Sequence, residues 1–301
     1  MTEPDPAPTT AQMLEAVEAF IRRFVIFQSE AQSIAVSLWV LHTHAVDAAE
    51  QSPYLAITSP EMQSAKSRLL EVLELIVPRP WRIEKPSEAV VFRKIDSDTP
   101  TLLLDETDAI FGKGKDADQH EGLRALLNAG NRRGSTVPRC VGAKMALKNF
   151  KVFCPKALAG IGNLPGTIES RSIPIRMARK HKSESVERFR FKRVSPQGLA
   201  LHTQLVRWSL GVSDLEDAEP ELPEELSDRQ QDSWEPLLAI ADDAGADWPG
   251  GARAAAIELH AQKDEDSAGT LLLAHIREAF EDAIGTPSEN VISTEGCSRF
   301  S

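Results

Sequence analysis

The chain has 301 residues with 34 Lys and Arg against 45 Asp and Glu, a net charge of −11, and is 42% hydrophobic and 26% charged. That is an ordinary globular composition, long enough for one large domain or two modest ones. No apolar run approaches the ~18 residues of a membrane span, and the Pro-rich, acidic residues 1–10 lack the basic and apolar regions of a secretory leader, so no membrane association and a cytoplasmic location are expected.

In chain order, residues 1–10 read as disordered. Apolar residues at helical spacing then predict helices over 11–27 and 31–49. His42 and His44 stand two apart, on different sides of the second helix, and suit packing or capping better than sharing a metal. A strand over 54–57, a helix over 67–77 closed by Pro78 and Pro80, a strand near 81–83, a helix over 87–95 and a strand over 101–104 follow. This alternation predicts an α/β core with a parallel sheet flanked by helices. A polar loop leads to a helix over 119–131, strands over 139–143 and 150–154, a Gly-containing loop, a strand over 172–177 and a helix over 196–210. The acidic stretch 211–227, with Pro220 and Pro223, reads as a linker. Helices over 228–244, 249–262 and 266–283 would form a small acidic C-terminal domain, 228–301, with a further helix opening at Ser293. The core is then 51–210, preceded by N-terminal helices in 11–50. Cys140, Cys154 and Cys297 are widely spaced, and read as thiols, two of them buried, rather than disulfides or a zinc site.

Chemistry concentrates in two stretches. Thr58-Ser-Pro-Glu-Met-Gln-Ser64-Ala65-Lys66-Ser67-Arg68 lies between a strand and a helix, with Lys-Ser in the first helical turn. That is the context of a phosphate-binding loop: helix N–H groups facing an anion, Lys66 for the outer phosphates, and the Ser67 hydroxyl for Mg²⁺. The pattern G-x-x-x-x-G-K-[ST] is not matched in full, because Pro60 and Ala65 occupy its glycine positions. A methyl group at Ala65 is expected to crowd a phosphate. The plain alternative is an ordinary strand-to-helix turn with an exposed Lys. Thr101-Leu-Leu-Leu-Asp105-Glu106 is a buried-type strand ending in two carboxylates, 39 residues after Lys66, where a metal-binding Asp and a water-activating Glu would stand.

Two more features bear on anions. Arg171 stands just before the strand over 172–177, in a position to reach a γ-phosphate of the same or a neighbouring subunit, or else to make a surface ion pair. From Arg124 to Arg207 there are 18 Lys and Arg against 3 Asp and Glu, leaving 16 against 42 elsewhere. Such segregation suggests that region 124–207 faces nucleotide phosphate, DNA or an acidic partner, unless the acidic C-terminal part folds back on it.

Leu38-Trp-Val-Leu-His-Thr-His44, Ile57-Thr-Ser-Pro-Glu-Met-Gln-Ser-Ala-Lys-Ser-Arg-Leu-Leu-Glu71, Pro100-Thr-Leu-Leu-Leu-Asp-Glu106, Leu123-Arg-Ala-Leu-Leu-Asn-Ala-Gly130, Ala157-Leu-Ala-Gly-Ile-Gly162, Arg171-Ser-Ile-Pro-Ile-Arg176 and Trp234-Glu-Pro-Leu-Leu-Ala-Ile-Ala241 run through nearly the whole chain. In these stretches the sequence resembles DUF3631, a bacterial family of P-loop-ATPase-like, helicase-like proteins frequent in actinobacteria, phages and other mobile elements. The resemblance implies a P-loop NTPase sheet of the AAA+/RecA-like kind. Ser64, Ala65, Lys66 and Ser67 would bind ATP, Ser67 and Asp105 Mg²⁺, and Glu106 the attacking water, with Arg171 as finger or sensor by position. An ATP-driven DNA motor is the leading expectation, and a homo-oligomer would follow if Arg171 acts on a neighbouring subunit. This chain departs from the family at Ala65, where the family has Gly, and is expected to be short beyond Ile292. A non-hydrolysing module that binds nucleotide or DNA is the competing expectation.

Overall fold

The computed structural model describes residues 7–60, 64–111, 121–181 and 183–261. The expected helix over 266–283, the opening at Ser293, Cys297, the loop residues 61–63 and the polar loop after Phe111 lie outside them.

Five strands form one parallel sheet: β1 (Tyr54–Ser59), β2 (Pro80–Glu84), β3 (Thr101–Asp105), β6 (Lys156–Ile161) and β7 (Ser172–Arg176). Their order is β2-β3-β6-β1-β7. Tyr54 pairs with Lys156 on one side and Ser172 on the other, so β1 lies centrally between β6 and β7. β1, β3, β6 and β7 are buried on both faces, as parallel strands covered by helices must be, while the outer strand β2 is only partly covered.

Alternation along the strands assigns each face its own core. Leu55, Ile57, Leu103, Ala157, Ala159, Ile173 and Ile175 face one core, shared with α1 (Thr10–Arg22), α2 (Glu30–His44), α3 (Lys66–Leu73), α8 (Phe191–Ser209) and α9 (Asp228–Ala244). Tyr54, Ala56, Leu102, Leu104 and Leu158 face the other, with α4 (Glu88–Asp98), α5 (Thr107–Phe111) and α6 (Glu121–Ala129). On the first side α2 is central. Residues 31–33 and 35–43 of it are all buried, so it is enclosed nearly all round rather than along one stripe. Thr9 and Gln12 close the start of α1 as a capping box. Beside α2, His44 and His202 of α8 both approach the carbonyl of Ile76, at 2.7 and 3.2 Å, tying three helical segments together.

Three expectations are corrected. The strands anticipated over 139–143 and 150–154 form two to four residues earlier, as β4 (Thr136–Val141) and β5 (Ala146–Lys151), and they pair antiparallel as a hairpin outside the parallel sheet, turned at Gly142, whose φ is +69°. The strand between β3 and β1 is β6, from the stretch expected to be a loop. Its Ala and Gly have weak strand propensity, but the site demands small residues: a Cβ on Gly160 would stand 2.1 Å from Thr107 Oγ1. Finally, the boundary placed at 228 is absent. α9 packs on α2 in the common core, residues 248–261 continue as helix, and the compact unit runs to His260. The remaining unit, Ala261–Ser301, lies beyond the described residues except at its first position.

Candidate functional site at the carboxyl edge of the sheet

Ligands of open parallel sheets bind beyond the carboxyl ends of the strands, and here those ends carry most of the singled-out residues. β1 ends at Ser59, and Ser64 and Ala65 lead into α3. Ala65 is the N-cap of α3 at φ 62°, ψ 8°, in the left-handed region, and no side chain caps this helix end. A residue with a Cβ costs about 1–2 kcal/mol there. The position is therefore glycine-type in its backbone as well as in its place in the motif. Lys66 is buried, and its Nζ donates to Ser59 Oγ and to Ser64 Oγ, the latter at 3.0 Å. Burial lowers the Lys66 pKa, opposed by the negative charges of Asp108 and Asp105. Ser67 is exposed in the first turn.

Two strands away, β3 delivers Asp105, 5% exposed. Its Oδ1 accepts from the Glu106 backbone N–H (3.0 Å) and its Oδ2 from Arg82 Nη2 (3.1 Å). Arg82, on β2, also reaches toward Glu71 of α3 at 3.7 Å. Glu106 has φ +56° and an outward side chain paired with Lys85 at 3.0 Å. Asp108, in the first turn of α5, accepts from the Ile161 backbone N–H at 2.9 Å and so docks α5 on the end of β6. Sequence reasoning passed over Asp108, Arg82 and Lys85. The signal for Asp108 was its place one helical turn beyond the Asp-Glu pair; Arg82 and Lys85 carried none.

The edge thus gathers Ser64, Lys66, Asp105 and Asp108, with Ser67 and Glu106 on its outer side. Arg171 is not among them. Its backbone carbonyl accepts from Tyr54 N–H (3.0 Å), at the start of β1, and its guanidinium donates to Thr167 O. Five residue steps along β1 separate that end from Ser59, roughly 16 Å at ~3.3 Å per residue. There Arg171 lines a polar cavity of about 240 Å³ with Arg132 and Arg229. The β7 cation at the Lys66 end is Arg176, paired in register with Thr58, its pKa lowered by burial against the opposing pull of Glu169.

An uncapped helix end, a lysine and a hydroxyl facing two carboxylates suit a phosphate chain with a divalent cation. Among the described residues no set of three His, Cys, Asp or Glu would hold a metal alone. Ser67 and Asp105 are residues here that could share a divalent cation with phosphate oxygens. Asp105 keeps lone pairs for that beside its two hydrogen bonds.

The basic segment 124–207 is scattered. Lys156 is fully buried, and its Nζ donates to the carbonyls of Gly130, Val152 and Cys154 at 2.8–3.0 Å. On the hairpin, Arg139 and Lys148 pair with Glu88 (3.6 Å) and Asp96 (2.8 Å) of α4, so these charges are met by α4. Cys154 is buried and Cys140 exposed, both free thiols.

These features define an α/β protein whose mostly parallel five-stranded sheet, flanked by helices, gathers a lysine and carboxylates at its carboxyl edge. The family described as "Protein of unknown function (DUF3631)" matches residues 176–294. An "Uncharacterized 28.9 kDa protein in xis 5'region" of Saccharopolyspora erythraea is 42% identical over 110 residues, 35% of this chain and 41% of that protein. The match thus spans well under half of that relative. A full-length MCM homolog from Methanopyrus kandleri superposes with a TM-score of 0.47 at 13% identity, covering 85% of this chain and 62% of that one. No helix among the described residues is long and apolar enough to cross a membrane.

Proposed function

We propose that the chain is a P-loop ATPase of the AAA+/RecA-like kind that binds ATP with Mg²⁺ at the carboxyl edge of its sheet. The observation that carries this reading is the meeting of Lys66, at an uncapped helix end, with Asp105 and Asp108 across β6. ATP with its magnesium would bring a phosphoanhydride whose γ-phosphoryl is open to water. Lys66 and the α3 N–H groups bind the phosphates, Ser67 and Asp105 hold the cation, and Glu106 orients water once released from Lys85. Arg171 faces away from its own Lys66, which supports a role toward a neighbouring copy. DNA is the proposed substrate of the motor. Its contact is assigned to the β4–β5 hairpin, where Met145 and Leu147 are 67% and 72% exposed beside Lys144.

The test is ATP binding and hydrolysis with Mg²⁺, with and without single-stranded DNA, for this chain and its Ala65→Gly and Lys66→Ala variants. Turnover abolished in Lys66→Ala and stimulated by DNA is expected; absence of ATP binding in both this chain and Ala65→Gly would sink the proposal. A second reading, binding without turnover, is favoured by Ala65 itself, and is chosen if only Ala65→Gly hydrolyses.

A further inference from the structure

Four of the large exposed hydrophobic side chains fall in one short stretch: Phe191, Leu199 and Leu210 are 61%, 64% and 85% exposed and Val206 39%. The buried side of α8 is Val194, Gly198, Leu201, Leu205 and Trp208. At 100° per residue, Leu199, Val206 and Leu210 fall in one line on the opposite side, with Lys192 in that line, while Phe191 lies about 80° away from it, toward Gly198. The apolar part of the line, Leu199 to Leu210, extends about 16 Å at ~1.5 Å per residue. α8 carries Lys192, Arg193 and Arg207 and no acidic residue, and Arg188 and Arg190 precede it, both exposed. An exposed apolar stripe rimmed by one sign of charge marks an interaction surface.

The complementary surface stands elsewhere on the same molecule. Between the start of α2 and helical residues 248–258 lies a cleft of about 360 Å³, with Ile34, Trp248 and Ala255 in its lining and Glu30, Asp247 and Glu258 at its rim. Glu18 lines it too and is bridged to Arg22 at 2.9 Å, and Glu258 is engaged as well, so the sign of the cleft rests on Glu30 and Asp247.

We infer that α8 of one copy docks its apolar stripe in the acidic cleft of a second copy, a head-to-tail contact between unlike surfaces. Opposite charge selects the occupant: a basic, apolar ridge meets an acidic, apolar-floored cleft, and one contact covers both. The chain's own residues 262–301, with 3 basic and 8 acidic side chains, suit the stripe in sign but not the cleft. Because the surfaces differ, each copy keeps a free stripe at one end and a free cleft at the other, and the contact propagates into a ring or a filament. The inference is independent of the nucleotide reading.

Sedimentation velocity of the full chain over a range of concentrations tests it. Self-association weakened by salt is expected, with Leu199→Asp raising the dissociation constant at least tenfold. Two charge-reversed chains make the test specific. One carries Lys192→Glu with Arg193→Glu; the other carries Glu30→Lys with Asp247→Lys. Each alone should sediment as a monomer. Mixed, they should associate, because the acidic α8 of the first meets the basic cleft of the second, and the unaltered α8 of the second meets the unaltered cleft of the first. A monomer at every concentration overturns the inference. So does a cleft-reversed chain that still associates, which would mean α8 pairs with α8, and so does a mixture that stays monomeric while both variants keep the parent's melting temperature.

Discussion

Ala65 joins a sequence anomaly to a backbone fact. Its left-handed conformation is where a Cβ is penalised, so Ala65→Gly should stabilise the fold by about 1 kcal/mol in denaturant titrations, whatever it does for phosphate. A destabilised glycine variant would show that the methyl group's packing outweighs the backbone term. Lys156 behaves oppositely. Its buried ammonium satisfies three carbonyls, so Lys156→Met should strand them and cost on the order of 3 kcal/mol or more, seen as a lowered melting temperature. His42 and His44 govern acid stability. Burial depresses their pKa values to about 3 and about 4, with Arg133 adding to the shift at His42 and the Ile76 carbonyl opposing it at His44. The unfolded chain binds these protons near pH 6.5. Stability is therefore full above that pH and falls on acidification, by roughly 2 kcal/mol per histidine at pH 5. Urea midpoints measured from pH 7.5 to 5 should slope accordingly, and less steeply in His42→Gln. The sequence pointed to packing or capping for these two histidines, because their spacing forbade a shared metal; nothing in it marked Lys156 as buried, since its partners are backbone carbonyls, two from the segment just before it and one from distant Gly130.

Among the elements, β1, α3 and β3 could be read in advance because apolar runs ended in turn residues or charges at the right places. β6 could not. Its Ala-Leu-Ala-Gly core lacks the branched and aromatic residues that signal a strand, and its smallness makes sense only against α5, which the sequence does not place there. Gly160→Ala should consequently be costly, at least about 2 kcal/mol, by forcing Thr107 and the first turn of α5 off the sheet. Adding Thr107→Ala should recover part of the loss in stability. No recovery would mean that the nearby backbone N–H of Asp108, 3.1 Å from the built Cβ, sets the limit. The hairpin strands were expected two to four residues too late: Ala, Lys and Asn in β5 give little strand signal, so the pattern located the pair without fixing its ends. The candidate site was half legible. Ser64, Lys66, Ser67, Asp105 and Glu106 followed from motif spacing. Asp108, and the cations Arg82 and Lys85 set against the two acids, depended on neighbours known only once the chain is folded.

For the whole molecule, Arg171 and Lys66 occupy opposite ends of the strands, so one chain does not bring them together. If both serve one proposed ATP site, then Arg171→Ala and Lys66→Ala chains, each inactive alone, should regain ATPase activity when mixed, as a site built from two copies requires; no regain would confine Arg171 to a structural role at Thr167. The two-faced core also explains why the expected boundary at 228 is missing. α9 buries Trp234, Leu237, Leu238 and Ile240 against the elements that cover the sheet, so an acidic composition shift marks a change of surface, not of domain. The same burial decides what light can report. Of the five tryptophans, Trp39, Trp208 and Trp234 are sealed in the helical layer and will emit in the blue, indifferent to ligand or partner. Trp81 is half-buried near the start of the outer strand β2, opposite Leu102, and Trp248 lines the acidic cleft. Selective quenching by iodide or acrylamide would thus read two separate places in the unlabelled protein, one indole on the outer strand and one at the cleft, over a silent background of three.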